Sequence, residues 1–129
     1  MATHKPPKGP LDAKLLRGGL VDLEFLIHYL QLRDHVALTP RLGDACGELA
    51  NAGLLPAGTV EAHDFLTRMI IGVRLLAPDL EMPDGAAAEV LAGACQCDSP
   101  KSLLRSLGEA RQCIAAAWQT VFDQTLEIE

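Results

Sequence analysis

Apolar residues recur along this chain at the three- and four-residue steps that are typical of amphipathic helices. The clearest stripe comprises Ala62, Phe65, Leu66, Met69, Ile70, Val73 and Leu76, and it ends before Pro78. β-branched residues never gather into alternating runs, as they do in half-buried strands. The pattern therefore predicts helices packed on helices rather than a sheet.

Local sequence signals set the ends of the first two predicted helices. The first helix is predicted from about Leu20 to His35. Thr39 is predicted as the N-cap of the second helix, with Pro40 at its first helical position. Gly53 is predicted to stop that helix, which then spans roughly residues 40–52.

The second half of the chain carries two more helix starts. Asp84 is predicted to cap a short helix through "AAAEVLAGA", and Ser99 to cap a long last helix with Pro100 at its first position. The apolar stripe of the last helix is predicted to consist of Leu104, Leu107, Ile114, Trp118, Val121 and Phe122. We expect an all-α protein, an antiparallel bundle of about five helices with short loops.

Composition divides the chain into a short start and one domain. Residues 1–11 are rich in proline and are predicted to be a flexible linker or a trimmed boundary, and residues 12–129 a helical domain. The net charge is −6, and from Gly18 onward seven basic residues face sixteen acidic ones, so nucleic acid is excluded as a partner. No apolar run approaches the roughly 18 residues of a membrane span, and no secretory signal is present, which predicts a cytoplasmic protein without a membrane partner.

The spacing of the cysteines and histidines along the sequence predicts no metal site. Cys95 and Cys97 lack the C-x₂-C spacing, and His28 and His35 are separated by about 10.5 Å along a helix, too far apart to bind one ion. The four cysteines, which also include Cys46 and Cys113, are predicted to be reduced thiols in the core.

Two carboxylates near the start of the first helix are candidates for a function. Glu24 falls on one stripe with His28, Gln31 and His35, which predicts a solvent face. Glu24 is interpreted as a solvated residue paired weakly with His28, with a catalytic base as the alternative. Asp22 falls nearly opposite, on a mainly apolar side. It either favours the helix start, if Gly19 is the N-cap, or has a function.

The glycine pair at Gly18 and Gly19 offers backbone amides that could bind an anion at the helix start. Two glycines are a weak signal, because neither G-x-x-x-x-G-K-[ST] nor G-x-G-x-x-G is present. A G-x-S-x-G motif is also missing. The sequence therefore predicts no catalytic residue and no metal ligand in this chain.

The stretch "LDAKLLRGGLVDLEFLIHYLQLR" resembles the C-terminal helical region of the glutamine-synthetase adenylyltransferase family. The resemblance is carried by the pattern D-x-K, three residues, then G-G-x-x-D-x-E-F. It falls on Asp12, Lys14, Gly18, Gly19, Asp22, Glu24 and Phe25. A looser likeness extends to "AAAWQTVF" around Trp118, and thus covers nearly the whole chain.

The resemblance implies that a nucleotidyltransferase core precedes this region and that the core is absent from the present sequence. The parent enzyme would use ATP and Mg²⁺ to transfer AMP to a tyrosine of glutamine synthetase and would remove it by phosphorolysis. The present chain would pack on the core, bind no cofactor itself and be inactive alone. Gly18, Gly19, Asp22 and Glu24 would then lie at the seam with the core, near the nucleotide.

A second hypothesis belongs to another class of function. The chain would be a non-catalytic helical interaction module that docks a PII-type signal protein or glutamine synthetase itself. An acidic helical bundle with apolar grooves would suit either hypothesis.

Overall fold

The computed structural model describes residues 6–128 and shows five packed α-helices and no strand within that range. The helices are α1 (Leu20–Asp34), α2 (Leu42–Asn51), α3 (Gly58–Leu76), α4 (Ala86–Ala94) and α5 (Pro100–Phe122). The prediction of an all-α fold is confirmed. The part of the predicted linker at residues 1–5 lies outside the described residues.

The long helices α3 and α5 pack against each other and form the centre of the fold, while α2 and α4 each contact α3 and α1 contacts α2, α3 and α5. The predicted stripe of α3 is mostly confirmed, because Ala62, Phe65, Leu66, Met69 and Val73 are buried. Burial of each large aliphatic or aromatic side chain contributes about 1.5–3 kcal/mol, so this shared core is the main source of stability.

Two predicted helix ends are confirmed in their geometry. The Ser99 hydroxyl accepts a hydrogen bond from the Ser102 backbone N–H at 3.1 Å, and Pro100 occupies the first turn of α5. After α2, Gly53 takes the left-handed conformation with φ 78°. The Leu54 N–H then donates to the Leu49 carbonyl at 2.9 Å, which closes a Schellman motif.

The predicted caps of α2 and α4 are wrong. α2 begins at Leu42 after Arg41, so Thr39 and Pro40 lie in the preceding loop. The Gln31 side chain of α1 donates to the Ala37 carbonyl oxygen of this loop at 2.6 Å, a tertiary contact that the local capping pattern does not contain.

For α4, the residue before the helix is Gly85 and not Asp84, and its side-chain-free backbone has φ 60° and ψ −131°. This conformation lies outside the regions that residues with a Cβ atom favour, so the glycine defines where the helix starts.

The prediction is also wrong for one residue of the α5 stripe. Leu104 is 47% exposed, whereas its neighbour Leu103 is fully buried. The buried stripe follows steps of four, three, four and three residues, through Leu103, Leu107, Ala110, Ile114 and Ala117. With two adjacent leucines, the apolar pattern alone does not fix which of them faces the core.

The described residues before α1 pack on the body of the protein. Leu11 is fully buried, and its N–H donates to the Leu80 carbonyl oxygen at 3.0 Å. The division of the chain between a linker at 1–11 and a domain at 12–129 stays a prediction. Among the described helices, none has the length and apolar character needed to cross a membrane.

Candidate functional site

The segment before α1 is fixed by Asp12, which is only 5% exposed. Its carboxylate accepts the Lys8 N–H at 2.9 Å through Oδ2 and the Leu15 N–H at 3.1 Å through Oδ1. A carboxylate with two backbone donors satisfies groups that would otherwise be buried without partners. Asp12 therefore shapes the turn that leads to the glycine pair.

Gly18 lies where the turn meets α5. Its φ is +76°, and a Cβ atom there would lie 2.6 Å from the Arg111 carbonyl oxygen. From the same helix, the Arg111 Nε donates to the Arg17 carbonyl oxygen at 2.7 Å. Both the conformation and the close approach require glycine at this position.

Gly19 is the N-cap of α1, as the capping interpretation assumed. A Cβ atom there would collide with the carbonyl oxygens of Ala13 and Leu16. The Gly19 N–H donates to the Leu16 carbonyl oxygen at 2.8 Å, and the Gly18 N–H donates to Asp22 Oδ2 at 2.8 Å. The idea that these two amides are open to an anion is wrong for this conformation, since both have partners inside the protein.

Asp22 lies in the first turn of α1 and is 3% exposed. Its bond to the Gly18 N–H resembles a capping box, in which an acidic residue of the first turn reaches back to the backbone before the helix. The helix-start interpretation of Asp22 is thus supported by a direct hydrogen bond. A further role at a seam with another domain stays a prediction.

Glu24 is half-buried on α1 and does not join Asp22 in one site. Among the described residues, the expected pair with His28 is not formed, because the His28 Nδ1 lies 3.1 Å from the Gln31 Oε1 instead. The structure thus brings Gly18, Gly19 and Asp22 together and leaves Glu24 apart. The assignment of a function to these four residues stays a prediction.

Sequence reasoning missed an open groove of about 340 Å³ between α3 and α5. Its charged and reactive lining residues are Glu61, Arg68, Glu109 and Cys113. The Arg68 Nε is buried and has no hydrogen-bond partner among the described residues. The sequence signals for this face were the i, i+7 spacing of Glu61 and Arg68 on α3 and the i, i+4 spacing of Glu109 and Cys113 on α5.

Burial in the fold perturbs three of the four thiols. Burial raises the pKa of Cys46, Cys95 and Cys113, and a neighbouring glutamate, Glu61, adds to the effect at Cys113. All four cysteines are free, and Cys46 and Cys95 are buried as predicted. The prediction of core thiols is wrong for Cys97 and Cys113, which are only partly buried at the edge of the core. Within residues 6–128, no three His, Cys, Asp or Glu residues are placed to hold one metal ion. The lack of a metal site in the whole chain stays a prediction.

A cluster of aromatic rings joins α1 to the end of α5. The Phe122 ring centroid lies 4.7 Å from those of both Tyr29 and Trp118, and 5.9 Å from that of Phe25. Trp118 is buried, whereas Phe25 and Tyr29 are 43% and 38% exposed. Sequence reasoning placed Trp118 and Phe122 in the core but missed the exposed rings of α1.

The chain is similar to proteins named "Bifunctional glutamine synthetase adenylyltransferase/adenylyl-removing enzyme". The one from Caulobacter vibrioides is 34% identical in an alignment 131 positions long, gaps included, which covers 94% of this chain and 13% of that protein. The one from Brucella suis biovar 1 is 39% identical in an alignment 85 positions long, which covers 61% of this chain and 9% of that protein. No family model matches the chain, and no solved structure matches it.

These comparisons show distant homology between the chain and a small part of glutamine synthetase adenylyltransferases. The chain spans about an eighth of the length of the Caulobacter vibrioides relative. It is thus an all-α protein that is homologous to a region of an enzyme.

Proposed function

We propose that this chain is the C-terminal helical domain of a bifunctional glutamine-synthetase adenylyltransferase, and that it packs on the nucleotidyltransferase core of that enzyme. The observation that carries the proposal is the alignment with the Caulobacter vibrioides enzyme over 94% of the chain. The parent transfers AMP from ATP, with Mg²⁺, to a tyrosine of glutamine synthetase and removes it by phosphorolysis, and so regulates nitrogen assimilation in the cytoplasm.

The role of the domain is structural support for the catalytic core. The double-glycine turn supports this role because its polar groups bond within the chain and fix the direction in which α1 leaves the turn. The turn before α1 is bonded both to α1, through Asp22, and to α5, through Arg111. Helix α1 therefore starts from a fixed point and presents a rigid surface. Rigid support is what a catalytic site on a neighbouring domain requires.

The proposal is tested by exchanging the aligned region of the Caulobacter vibrioides enzyme for this chain. The chimera should transfer labelled AMP from ATP to glutamine synthetase, and this chain alone should not, because the phosphoryl-transfer machinery lies elsewhere. A folded chimera without AMP transfer would contradict the proposal. AMP transfer by the isolated chain would also contradict it.

A second candidate function is an interaction module that docks a PII-type signal protein or glutamine synthetase. The open groove between α3 and α5 favours this candidate, because its lining combines apolar side chains with the guanidinium of Arg68 and the carboxylates of Glu61 and Glu109, which can pair with polar groups of a partner. The test is binding of the isolated chain to either protein by calorimetry. Arg68→Met should abolish binding, while Arg74→Met, on the exposed part of α3, should leave it unchanged.

A further inference from the structure

Helix α1 is apolar on two sides, which is unusual for a helix at the surface of a single domain. Its inner side is formed by Leu23, Leu26, Ile27 and Leu30, all fully buried. On its outer side, Phe25, Tyr29 and Leu32 are 43%, 38% and 74% exposed. Neighbouring exposed apolar side chains on a second side of a helix mark a surface that another protein segment can cover.

The exposed residues of α1 form one continuous surface with α5. Phe25, Tyr29 and Leu32 follow each other at steps of four and three residues, the spacing of a seam between two helices. Phe122 extends the surface through its ring contacts with Phe25 and Tyr29. We call the surface made of Phe25, Tyr29, Leu32 and Phe122 the aromatic face.

We propose that the aromatic face, and not the double-glycine turn, is where this domain docks on the rest of the adenylyltransferase polypeptide. The proposal rests on the proposed function. The sequence places the seam at Gly18 and Asp22, but in the structure both are buried against their own chain. Within the described residues the aromatic face is apolar and partly exposed, so it has contacts to gain from a second domain.

The size of the aromatic face decides which occupant it suits. Four such partly exposed side chains offer on the order of 400 Å² of apolar surface. Two copies that met through this face would bury about 800 Å² in total, less than the roughly 1,000 Å² of a stable interface. A partner within the same polypeptide needs less area, because the tether supplies an effective concentration in the millimolar range.

The similarity to long relatives supports the tethered partner. The aligned region makes up 13% of the Caulobacter vibrioides enzyme, so most of that polypeptide is present beside it at fixed stoichiometry. The expected partner is an apolar helix or loop of that polypeptide. It would pack across the touching rings of Tyr29 and Phe122 and leave the Arg33 guanidinium, 5.7 Å from the Tyr29 ring centroid, at the rim.

The experiment compares two leucines of similar exposure, Leu32 on the aromatic face and Leu75 on α3, which are 74% and 78% exposed. In the isolated chain, Leu32→Glu and Leu75→Glu should melt at the same temperature as the unaltered chain. Sedimentation should show a monomer in all three. A dimer that only Leu32→Glu dissociates would overturn the proposal and assign the face to a second copy.

The same variants are then placed in the chimera with the Caulobacter vibrioides enzyme. Leu32→Glu should release the domain, so that trypsin cleaves it from the rest at least about tenfold faster, since cleavage follows the population of the open form. Leu75→Glu should not change the cleavage rate. Equal rates for both variants, or a chimera in which the unaltered domain melts separately or does not fold, would overturn the proposal.

AMP transfer in the chimera separates the two proposals. If the chimera is inactive but Leu32→Glu, and not Leu75→Glu, speeds its cleavage by trypsin, the proposed function fails and the docking face stands. If the chimera is active and Leu32→Glu leaves cleavage unchanged, the proposed function stands and the docking face is wrong.

Discussion

Gly18 and Gly53 have nearly the same backbone conformation, with φ of 76° and 78°, but different surroundings. A Cβ atom at Gly53 would meet nothing within 4 Å, whereas one at Gly18 would meet the Arg111 backbone. We expect Gly53→Ala to lower the free energy of unfolding by about 1–2 kcal/mol, the cost of a left-handed residue. Gly18→Ala should cost clearly more, because α5 must also move. Denaturant titration measures both, and equal costs would show that α5 does not crowd the turn.

Asp22 contributes through its charge and its hydrogen bond to the Gly18 N–H. Asp22→Asn keeps an acceptor oxygen but removes the charge from the helix start. We expect the free energy of unfolding to fall by about 1–2 kcal/mol, because a hydrogen bond to a charged group contributes more than one to a neutral group. Asp64→Asn on the exposed side of α3 is the control and should change stability by less than about 0.5 kcal/mol. A similar effect of both substitutions would remove the special role of Asp22.

At the scale of the element, the start of α5 depends on one side chain. Ser99→Ala removes the acceptor for the Ser102 N–H and should destabilise the protein by about 1 kcal/mol. Thr39→Ala is the matched control, because Thr39 looks like a cap in the sequence but lies in the loop before α2. Thermal melting of the two variants should separate them. If Thr39→Ala destabilises the protein as much as Ser99→Ala does, the Thr39 side chain stabilises the loop before α2 and the comparison does not single out the Ser99 cap.

The helix pattern could be predicted where the signal is local. Ser99 with Pro100, and Gly53 after α2, act within a few residues of chain, so the sequence states them directly. The loop before α2 is bonded by Gln31 of another helix, and Leu103 lies on a helix that packs against α3. Such features require tertiary packing, which a local pattern does not contain.

The sequence identified the residues of the candidate site but not their burial. The G-G-x-x-D pattern identified Gly18, Gly19 and Asp22 as unusual, and the structure brings them together at one turn. The burial of Gly18 could not be predicted, because it lies against the Arg111 backbone, and Arg111 bonds to Arg17 from 94 residues further along the chain. The exposure of Phe25 and Tyr29 was missed for the same reason, since an apolar residue next to a core stripe gives no sign of which face it occupies.

At the scale of the whole molecule, the thiols with raised pKa values should make the protein less stable at alkaline pH. Burial raises the pKa of Cys46, Cys95 and Cys113, so the unfolded chain loses these protons at a lower pH than the folded chain. The stabilisation is complete below the ordinary thiol pKa and is lost as pH rises through the raised values. We expect the free energy of unfolding to decrease above about pH 9.

Iodoacetamide labelling tests the same shifts directly, because only thiolates react. At pH 8, Cys46, Cys95 and Cys113 should be labelled much more slowly in the native protein than after denaturation. Mass spectrometry of the labelled peptides assigns the rates to each cysteine. Native rates that match those of the denatured chain would show that burial does not protect the thiols.

The ring cluster between α1 and α5 also gives the protein an optical probe of its own. Trp118 is the only tryptophan in the sequence, and its ring lies 5.6 Å from that of Phe25 and 4.7 Å from that of Phe122. Its fluorescence therefore reports the separation of α1 from α5, whereas far-ultraviolet circular dichroism reports all five helices together. Coincident transitions in the two signals would mean that α1 unfolds with the bundle as one cooperative unit. An earlier fluorescence change would make α1 the first helix to detach.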